Sequence, residues 1–369
     1  MRIGLNLVFL VPGETGGMEV YARELAPRLA ALEGLDVVAF VNRETAGEDL
    51  GVPTRVVPVR ATNRLEWVRG EQQLLPVMAA RAGVDVLHSL ASTAPVWSVP
   101  RSGARRVVTI HDLHFKLVPD AHFGVRGLGM RVLVPGAARS AHRVVVDATQ
   151  TREDLAEHLG TPRGKVDVVP LGVTARPDVE PTDEPTLRAQ LDLGDRRVVL
   201  SVSAKRPHKN LLRLVEAHAQ LPAPRPVLVL PGYPTPYEEE LRARAAALGS
   251  LKDVRFPAWV SAADLEGLYA LADVCCLPSL YEGFGLPVLE AMARGVPVAT
   301  SGRGSLAEVA GNAALLFEPE SAEAIAGALR RVLDDGALAD DLRSRGREHA
   351  RAYSWERTAA LTAESYRRA

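Results

Sequence analysis

Short runs of β-branched and other apolar residues alternate with helical stretches along the whole chain, and this alternation limits its fold more than any other feature. Such alternation is typical of parallel sheets whose strands are connected by helices. We therefore predict an α/β protein with doubly wound parallel sheets. The predicted strands of the first half are Ile3–Leu10, Val37–Val41, Val56–Val59, Val84–His88, Val107–Ile110, Val144–Val146 and Val166–Val169. Those of the second half are Val198–Ser203, Val227–Leu230, Val274–Leu277, Pro297–Ala299 and Ala314–Phe317.

A stretch without periodicity, residues 171–185, separates the two halves and is rich in proline and acidic residues. This composition indicates a linker. We predict an N-terminal domain over 1–174, a C-terminal domain over 175–352, and a final helix over 353–369 that Ser354 would cap. Because open parallel sheets bind ligands at the carboxyl ends of their strands, we expect the ligand in a cleft between the two domains.

The composition is that of a globular protein and limits its partners. The chain has 369 residues, of which 47% are hydrophobic and 24% charged, and this length favours two domains. A net charge of -1 argues against nucleic acid as a partner. The two cysteines, Cys275 and Cys276, are adjacent, so they can neither connect distant segments nor build a zinc site. No apolar run reaches about 18 residues, and we expect a cytoplasmic protein.

Two glutamates, Glu282 and Glu290, flank a glycine-rich turn that follows the strand Val274–Leu277. Gly283 and Gly285 allow a tight turn, and a proline two positions later is typical of a first helical turn. The free amides of Gly283, Phe284, Gly285 and Leu286 would then favour a diphosphate. The glutamates are acceptors suited to sugar and ribose hydroxyls. The alternative is a pair of solvated glutamates beside an ordinary turn.

Several cations follow the predicted strand Val198–Ser203, at the start of the next helix. Lys205, Arg206 and Lys209 could neutralise a diphosphate leaving group there. A solvated basic turn is the alternative. Further along, Trp259 and Val260 precede an N-capped helix and are candidates for contact with a nucleobase.

In the first half, a glycine-rich turn with Gly16 and Gly17 follows the first strand. Its spacing is neither Gly-x-Gly-x-x-Gly nor a Walker pattern, which disfavours a nicotinamide dehydrogenase. His111 ends the strand Val107–Ile110, and the adjacent Asp112 is a candidate general base. The alternatives are a plain strand-to-helix turn and a structural histidine.

The segment from Arg101 to Arg143 carries eight basic residues against two acidic ones, a local charge of +6 interleaved with apolar residues. Basic and apolar side chains together suggest a surface for an anionic or lipid-linked acceptor, with peripheral membrane contact. A solvated helical face is the alternative.

Together these motifs resemble the retaining glycosyltransferases of family 4, which have the GT-B fold of two Rossmann-like domains. The resemblance covers nearly the whole chain: the glycine turn, His111-Asp112, Lys209-Asn210, the two glutamates, the segment Gly304–Gly311 and the closing Ser354-Trp355 helix. One departure is Ala204, where relatives often carry an arginine, which leaves Lys205 or Arg206 as substitutes.

The resemblance implies transfer of a sugar from a nucleotide-sugar donor, with neither metal nor cofactor. It implies that Gly16, Gly17, Lys209 and the amides of residues 283–286 hold the diphosphate, that Glu282 and Glu290 grip the sugar and ribose, and that His111 positions the donor sugar. It also implies that the last helix crosses back to the first domain. Of the donors used by the family, GDP-mannose is favoured over UDP-sugars.

Two other functions stay open at this stage. An inverting GT-B transferase or an epimerase-like enzyme would use Asp112 as its base. A non-catalytic subunit could bind the sugar nucleotide without reacting it, although the presence of Glu282, Glu290 and His111 together argues against this.

Overall fold

The computed structural model describes residues 1–99, 103–118, 124–174 and 179–369. They form two units, one made of Met1–Gly172 with Ser354–Ala369 and the other of Val173–Tyr353. Unit 1 is built on a seven-stranded sheet in the order β3-β2-β1-β4-β5-β6-β7. All its neighbouring strands are parallel. The strands are β1 (Arg2–Leu7), β2 (Asp36–Val41), β3 (Thr54–Val56), β4 (Val86–Ser89), β5 (Arg105–Thr109), β6 (Arg143–Val146) and β7 (Val166–Val168).

The helices of unit 1 connect these strands, as the alternation predicts. They are α1 (Gly17–Ala30), α2 (Arg64–Arg69), α3 (Leu75–Arg81), α4 (His114–Leu117), α5 (Gly124–Ser140), α6 (Thr149–Leu159) and, at the end of the chain, α15 (Trp355–Arg368); a π-helical turn, Gly70–Leu74, joins α2 to α3. Asn63 caps α2 through its side chain, and α6 ends at Gly160, whose positive φ of 65° favours glycine.

Unit 2 is built on a six-stranded parallel sheet in the order β10-β9-β8-β11-β12-β13. Its strands are β8 (Val198–Leu200), β9 (Val227–Val229), β10 (Val254–Arg255), β11 (Val274–Leu277), β12 (Val298–Ser301) and β13 (Leu315–Phe317). Its helices are α7 (Glu184–Gln190), α8 (Leu211–Ala219), α9 (Tyr237–Ala247), α10 (Ala262–Leu271), α11 (Leu286–Ala293), α12 (Gly304–Ala310), α13 (Ala322–Asp334) and α14 (Gly336–Ala350).

The prediction of doubly wound parallel sheets is confirmed. Strand β10 was not predicted, because two residues in register with β9 are too few to produce a recognisable pattern. Several predicted strands run on too far. Strand β1 stops at Leu7, because the chain turns there and the Leu10 amide donates to the Leu7 carbonyl at 3.1 Å.

The last helix, α15, packs within unit 1, as expected for a helix that returns to the first domain. Ser354 caps it, its hydroxyl accepting from the Arg357 amide at 3.2 Å. Trp355 and Tyr366 are buried on its inner face. A Cβ at Gly172 would lie 2.3 Å from the Trp355 amide nitrogen, so the chain passes the start of α15 at a distance that only glycine allows.

The strand orders locate the ligand-binding edges. In unit 2 the order reverses direction between β8 and β11, and in unit 1 between β1 and β4. In open α/β sheets ligands bind outside the carboxyl ends of the strands at such a switch point. The rule therefore indicates the loops after β8 and β11 in unit 2 and those after β1 and β4 in unit 1.

Cys275 and Cys276 lie on the central strand β11, and both thiols are free and buried. Burial raises the pKa of both thiols well above their ordinary value, so neither is a reactive thiolate. None of the helices within the described ranges is long and apolar enough to cross a membrane.

Candidate functional site

The loop after β11 opens α11 as its glycines predict. Gly285 precedes the helix with a φ of 112°, and a Cβ at this position would lie 2.6 Å from Leu306. No side chain caps the helix start, and Pro287 occupies its first turn. Because the first amides of a helix have no partner within it, this turn is suited to an anion at the carboxyl end of the strand.

Lys209 and Glu282 form an ion pair that joins the loops on the two sides of the switch point. The ammonium Nζ lies 2.7 Å from Oε1 and 2.8 Å from Oε2 of the carboxylate. The side chains are 20% and 11% exposed. Ser279 donates to the same carboxylate at 2.6 Å, and Ser305 donates to the Glu282 carbonyl at 2.6 Å. A lysine is thus held beside the open start of α11.

Asn210 fixes the backbone that carries this lysine. It adopts a left-handed conformation with φ 57°, which asparagine tolerates better than most residues. Its side-chain amide donates to the carbonyls of Pro278 at 3.0 Å and Pro319 at 2.7 Å. The Lys-Asn pair therefore ties the loop after β8 to the loops after β11 and β13.

Glu290 lies on α11 and accepts a hydrogen bond from the Tyr269 hydroxyl at 3.0 Å. Tyr269 is buried, and the Arg294 guanidinium lies 4.9 Å from the centroid of its ring. Burial raises the pKa of Tyr269 well above its ordinary value, so the hydroxyl stays a donor. This contact holds one carboxylate oxygen of Glu290 in place.

Lys205 does not have the role that the sequence suggests. It is fully buried, and its Nζ lies 2.8 Å from the Gly232 carbonyl, 3.1 Å from the Pro257 carbonyl and 3.3 Å from Glu238. An ammonium has three N–H donors, and these three acceptors leave none for a diphosphate. Arg206 is exposed, so it remains a candidate for contact with the diphosphate. Trp259 is exposed and Val260 half-buried, in the loop that follows β10.

In unit 1, His111 follows β5 and is held at both ring nitrogens. Nδ1 lies 2.7 Å from Asp147 Oδ2 and Nε2 lies 2.9 Å from the Leu90 carbonyl. Burial opposes protonation, but Asp147 and the Leu90 carbonyl outweigh it and raise the pKa of His111 to about 9. Both nitrogens then donate, so the ring is an oriented cation. Asp147 was not predicted, although it directly follows β6, the neighbour of β5.

Asp112 is engaged by His114. One carboxylate oxygen accepts from the His114 amide at 2.9 Å and the other lies 2.8 Å from the His114 ring. Although burial opposes ionisation, His114 lowers the pKa of Asp112 strongly. A carboxylate so stabilised in its charged form is a weak general base.

A chain of buried polar groups lies behind His111. The Tyr21 ring meets the His111 ring edge-on at 5.0 Å, and the Tyr21 hydroxyl lies 3.1 Å from that of Thr109. Thr109 lies 2.8 Å from His88 Nε2, and His88 Nδ1 lies 2.8 Å from the Tyr366 hydroxyl on α15. The last helix is therefore connected to the surroundings of His111.

The two histidines predict opposite effects of pH on stability. Burial and the charge of His111 lower the pKa of His88 to about 3. Below about pH 6.5 the unfolded chain therefore binds a proton at His88 that the folded protein does not. The free energy of unfolding should fall there by up to about 1.4 kcal/mol per pH unit. The stability that His111 contributes is present below about pH 6.5 and is lost as pH rises towards 9.

Urea unfolding of wild type and His88→Gln from pH 7 to 5 tests the effect of His88. The fall in the free energy of unfolding with decreasing pH should be shallower in the variant than in wild type. An equal fall in both proteins would contradict the prediction.

The glycine turn before α1 places Gly16 at the helix start with φ 61°. A Cβ would meet no atom within 4 Å at Gly16 or Gly17, so the backbone there is open to close approach. Thr15 and Glu19 hold the turn by bonds to the amides of Val11 and Gly13, both at 2.8 Å.

The basic segment is only partly described, since Arg101, Asp120 and Phe123 lie outside the described residues. Arg143 is committed to Asp167, at 2.5 Å, and Arg106 donates to the Ser140 carbonyl at 2.7 Å. Arg105, Arg131 and Val132 are exposed. In the described part of the chain, no group of three or more His, Cys, Asp or Glu could hold a metal ion.

Two family sequence models match the chain. The model described as "Glycosyltransferase Family 4" covers residues 15–176, and the model described as "Glycosyl transferases group 1" covers residues 183–349. Together they span both units.

Relatives match over the full length. The chain is 32% identical to MMP alpha-(1->4)-mannosyltransferase of Mycolicibacterium hassiacum, over 100% of this chain and 98% of the relative. It is 31% identical to D-inositol 3-phosphate glycosyltransferase of Nocardioides sp., over 97% of this chain and 86% of the relative. Among solved structures, sucrose-phosphate synthase from Thermosynechococcus elongatus is similar with a TM-score of 0.78 and 26% identity, over 100% of this chain and 98% of that one.

The matches to both family models, the full-length relatives and the two doubly wound units agree. The chain belongs to glycosyltransferase family 4 and is a nucleotide-sugar glycosyltransferase with the GT-B fold.

Proposed function

We propose that this enzyme transfers a sugar from a nucleoside-diphosphate donor, GDP-mannose before a UDP-sugar, to an acceptor hydroxyl with retention of anomeric configuration. The observation that carries the proposal is the Lys209–Glu282 pair beside the open start of α11. The full-length relative named as an alpha-(1->4)-mannosyltransferase supports mannose as the sugar and an alpha linkage in the product.

Unit 2 would hold the donor. We assign Lys209, Arg206 and the amides of Gly283–Leu286 to the diphosphate, since positive charge and the amino-terminal end of α11 converge there. We assign Glu282 to the transferred sugar and Glu290, held by Tyr269, to the ribose. Lys205 is left out of this set because all its donors are used.

The chemistry asks little of the protein beyond orientation and electrostatics. The acceptor oxygen bonds to the anomeric carbon, the bond from that carbon to the diphosphate oxygen breaks, and the proton passes to a leaving phosphate oxygen. Lys209 and the α11 amides stabilise the departing diphosphate. In unit 1 we assign His111 to packing of its ring against the transferred sugar, because both ring nitrogens are already bonded, and we assign Gly16 and Gly17, whose backbone is open to close approach, to the phosphates.

Retention is the first prediction of this proposal. Inversion needs a general base opposite the leaving group, and Asp112, the candidate for that role, has a lowered pKa and is engaged by His114. A proton NMR spectrum of the first product from an α-linked donor should show an α-glycoside. A β-glycoside would transfer the central role to Asp112 and overturn the retaining mechanism.

The acceptor is proposed to carry a negative charge or a lipid anchor. Exposed Arg105 and Arg131, with exposed Val132 beside the latter, support an anionic or membrane surface on unit 1. The relative named for D-inositol 3-phosphate takes a phosphorylated acceptor by name. The two free thiols on β11 favour a reducing compartment, the cytoplasm.

Activity is expected to survive chelators. No two aspartates in the chain are separated by a single residue, so the Asp-x-Asp metal clamp is missing, and lysine with helix amides would balance the diphosphate charge. Turnover measured in EDTA should match turnover in buffer alone. Complete loss in EDTA with recovery on adding magnesium or manganese would contradict this.

A further inference from the structure

Two aromatic side chains stack on each other at the carboxyl edge of the unit 2 sheet. Tyr233 follows β9 and Trp259 follows β10, with ring centroids 4.7 Å apart and planes inclined by 32°. They are 37% and 65% exposed, which is unusual for rings of this size. Exposed aromatic surface beside a ligand site is more informative than a single exposed apolar residue, because it offers a flat face to a planar ligand.

The buried Lys205 lies where the loops that carry this pair meet. Its ammonium binds the carbonyls of Gly232, just before Tyr233, and of Pro257, two residues before Trp259. Its own amide donates to the Tyr233 carbonyl at 3.5 Å, and the Thr235 hydroxyl donates to its carbonyl. One residue from the loop after β8 thus holds the loops after β9 and β10.

Gly232 shows how closely these loops are drawn together. A Cβ there would lie 2.0 Å from the Ser203 carbonyl oxygen, and its φ of 145° is one that side-chain-bearing residues rarely adopt. The Gly232 amide also donates to the Ala258 carbonyl at 3.1 Å. The Tyr233 and Trp259 backbones are therefore set by contacts on both sides, and Glu238 balances the charge of Lys205 at 3.3 Å.

Burying an ammonium is costly even when it is paired. An apolar residue of similar size could fill the same volume, but it could not hold two carbonyls from different loops at fixed positions. Desolvation lowers the pKa of Lys205, which is the sign of that cost. A fixed position of the loops after β9 and β10 that is needed for function would explain why the chain buries a lysine here.

The aromatic pair lies on the side of the switch point where a nucleoside would extend. In the sheet order, β9 and β10 lie on one side of β8, and β11 lies on the other. Lys209 and the α11 start mark the diphosphate position at the β8–β11 switch point. In doubly wound folds the ligand crosses this point, so a nucleotide with its diphosphate there can place its base over β9 and β10.

We propose that Tyr233 and Trp259 form a platform on which the donor's nucleobase stacks, and that Lys205 is the positioning residue that sets this platform. The proposal rests on the proposed function, because it takes the nucleoside diphosphate at Lys209 as given. In this proposal Tyr233 contacts the nucleobase. Lys205 positions the loops after β9 and β10 and does not bind the diphosphate.

Tryptophan fluorescence tests the platform, using GDP and UDP as ligands. The chain has four tryptophans, and stacking of a base on Trp259 should quench its emission. Trp259→Phe should abolish most of the quenching, whereas Trp97→Phe, which removes another exposed tryptophan, should leave it unchanged. By calorimetry, Trp259→Ala and Tyr233→Ala should each weaken nucleotide binding roughly 10- to 100-fold, the range expected for loss of one base–aromatic stack. Unchanged affinity in Trp259→Ala would overturn the platform.

Lys205→Met tests the positioning role, because it keeps the length of the side chain and removes the charge and donors. We expect a raised KM for the donor that exceeds any fall in kcat, together with reduced quenching by GDP. If this variant does not fold, Thr235→Val removes only the hydroxyl that donates to the Lys205 carbonyl and should give a smaller change in the same direction. A folded Lys205→Met with wild-type affinity and quenching would show that Lys205 only fills space.

The same measurements separate this inference from the proposed function. Wild-type protein that binds neither GDP nor UDP would refute both. Nucleotide binding that Glu290→Ala weakens and Trp259→Ala does not would leave the proposed function standing and remove the platform.

Discussion

Deletion of Ser354–Ala369 is expected to prevent stable folding of unit 1, the largest effect on stability that we predict for this chain. The deletion removes α15, whose inner face buries Trp355, Ala359, Ala363 and Tyr366. A fully buried large side chain contributes roughly 1.5–3 kcal/mol, and a whole domain is stable by only about 5–15 kcal/mol. Loss of this face alone removes a large share of that stability.

The deletion also removes hydrogen-bond partners from buried polar groups of unit 1. The His88 ring would lose the Tyr366 hydroxyl, and Asp167 would lose Ser365 at 2.6 Å and Arg368 at 2.8 Å. A typical intramolecular hydrogen bond contributes about 0.5–1.5 kcal/mol, and the Arg143–Asp167 and His88–Thr109 contacts remain. The two losses act in the same direction as the loss of apolar burial.

Circular dichroism melting and protease sensitivity would measure the effect. Trp355→Ala should reproduce part of it, whereas Glu356→Ala, on the outer face and paired with Arg28 at the surface, should change the melting temperature little. An unchanged melting temperature in the protein that lacks Ser354–Ala369 would show that α15 does not stabilise unit 1.

The fold was predictable because its signal is repeated at every element. Buried parallel strands read as short apolar runs, and most of these runs are followed by a helix, so errors at single strands do not change the class. The errors of the prediction lie at the ends of the strands. The predicted strand Val198–Ser203 stops at Leu200, and the path of the chain beyond Leu200 is set by Gly232, whose approach to Ser203 depends on another strand. The strand itself carries no sign of that contact.

Glu282 and Lys209 could be chosen from the sequence because each lies in a local pattern, a glycine turn or the end of a strand. Their partners were harder to find. Asp147 is 36 residues from His111, and Tyr269 is 21 residues from Glu290. Nothing in the order of residues says that these pairs meet. Knowing that β5 and β6 are neighbours would have pointed to Asp147, since both residues follow the carboxyl ends of their strands.

Lys205 shows a different limit of sequence reasoning. A lysine in a turn is normally solvated, and the pattern Lys205-Arg206 gives no indication that one side chain turns inward and the other outward. The direction is decided by acceptors on two other loops, which only the fold brings together.

Lys209→Ala is expected to lower kcat/KM by roughly 100- to 1,000-fold, the loss seen when a group that stabilises developing charge is removed. The lysine is held 2.7 Å from Glu282 and beside the amides of α11, so it is positioned before the donor arrives. The departing diphosphate gains negative charge, and in the variant only the amides and Arg206 would stabilise it.

The melting temperature should change much less than the activity, because the ion pair is partly exposed and lies outside the strands of the sheet. Lys252→Ala is the matched control, since Lys252 is an exposed lysine of the same unit and lies before β10 instead of after β8. Steady-state kinetics of donor hydrolysis, in which water replaces the acceptor, allow the comparison before any acceptor is known. Near-native turnover of Lys209→Ala with a normal melting temperature would mean that the diphosphate lies elsewhere, and the assignment of Glu282 to the transferred sugar would fail with it, because that assignment depends on the position of Lys209.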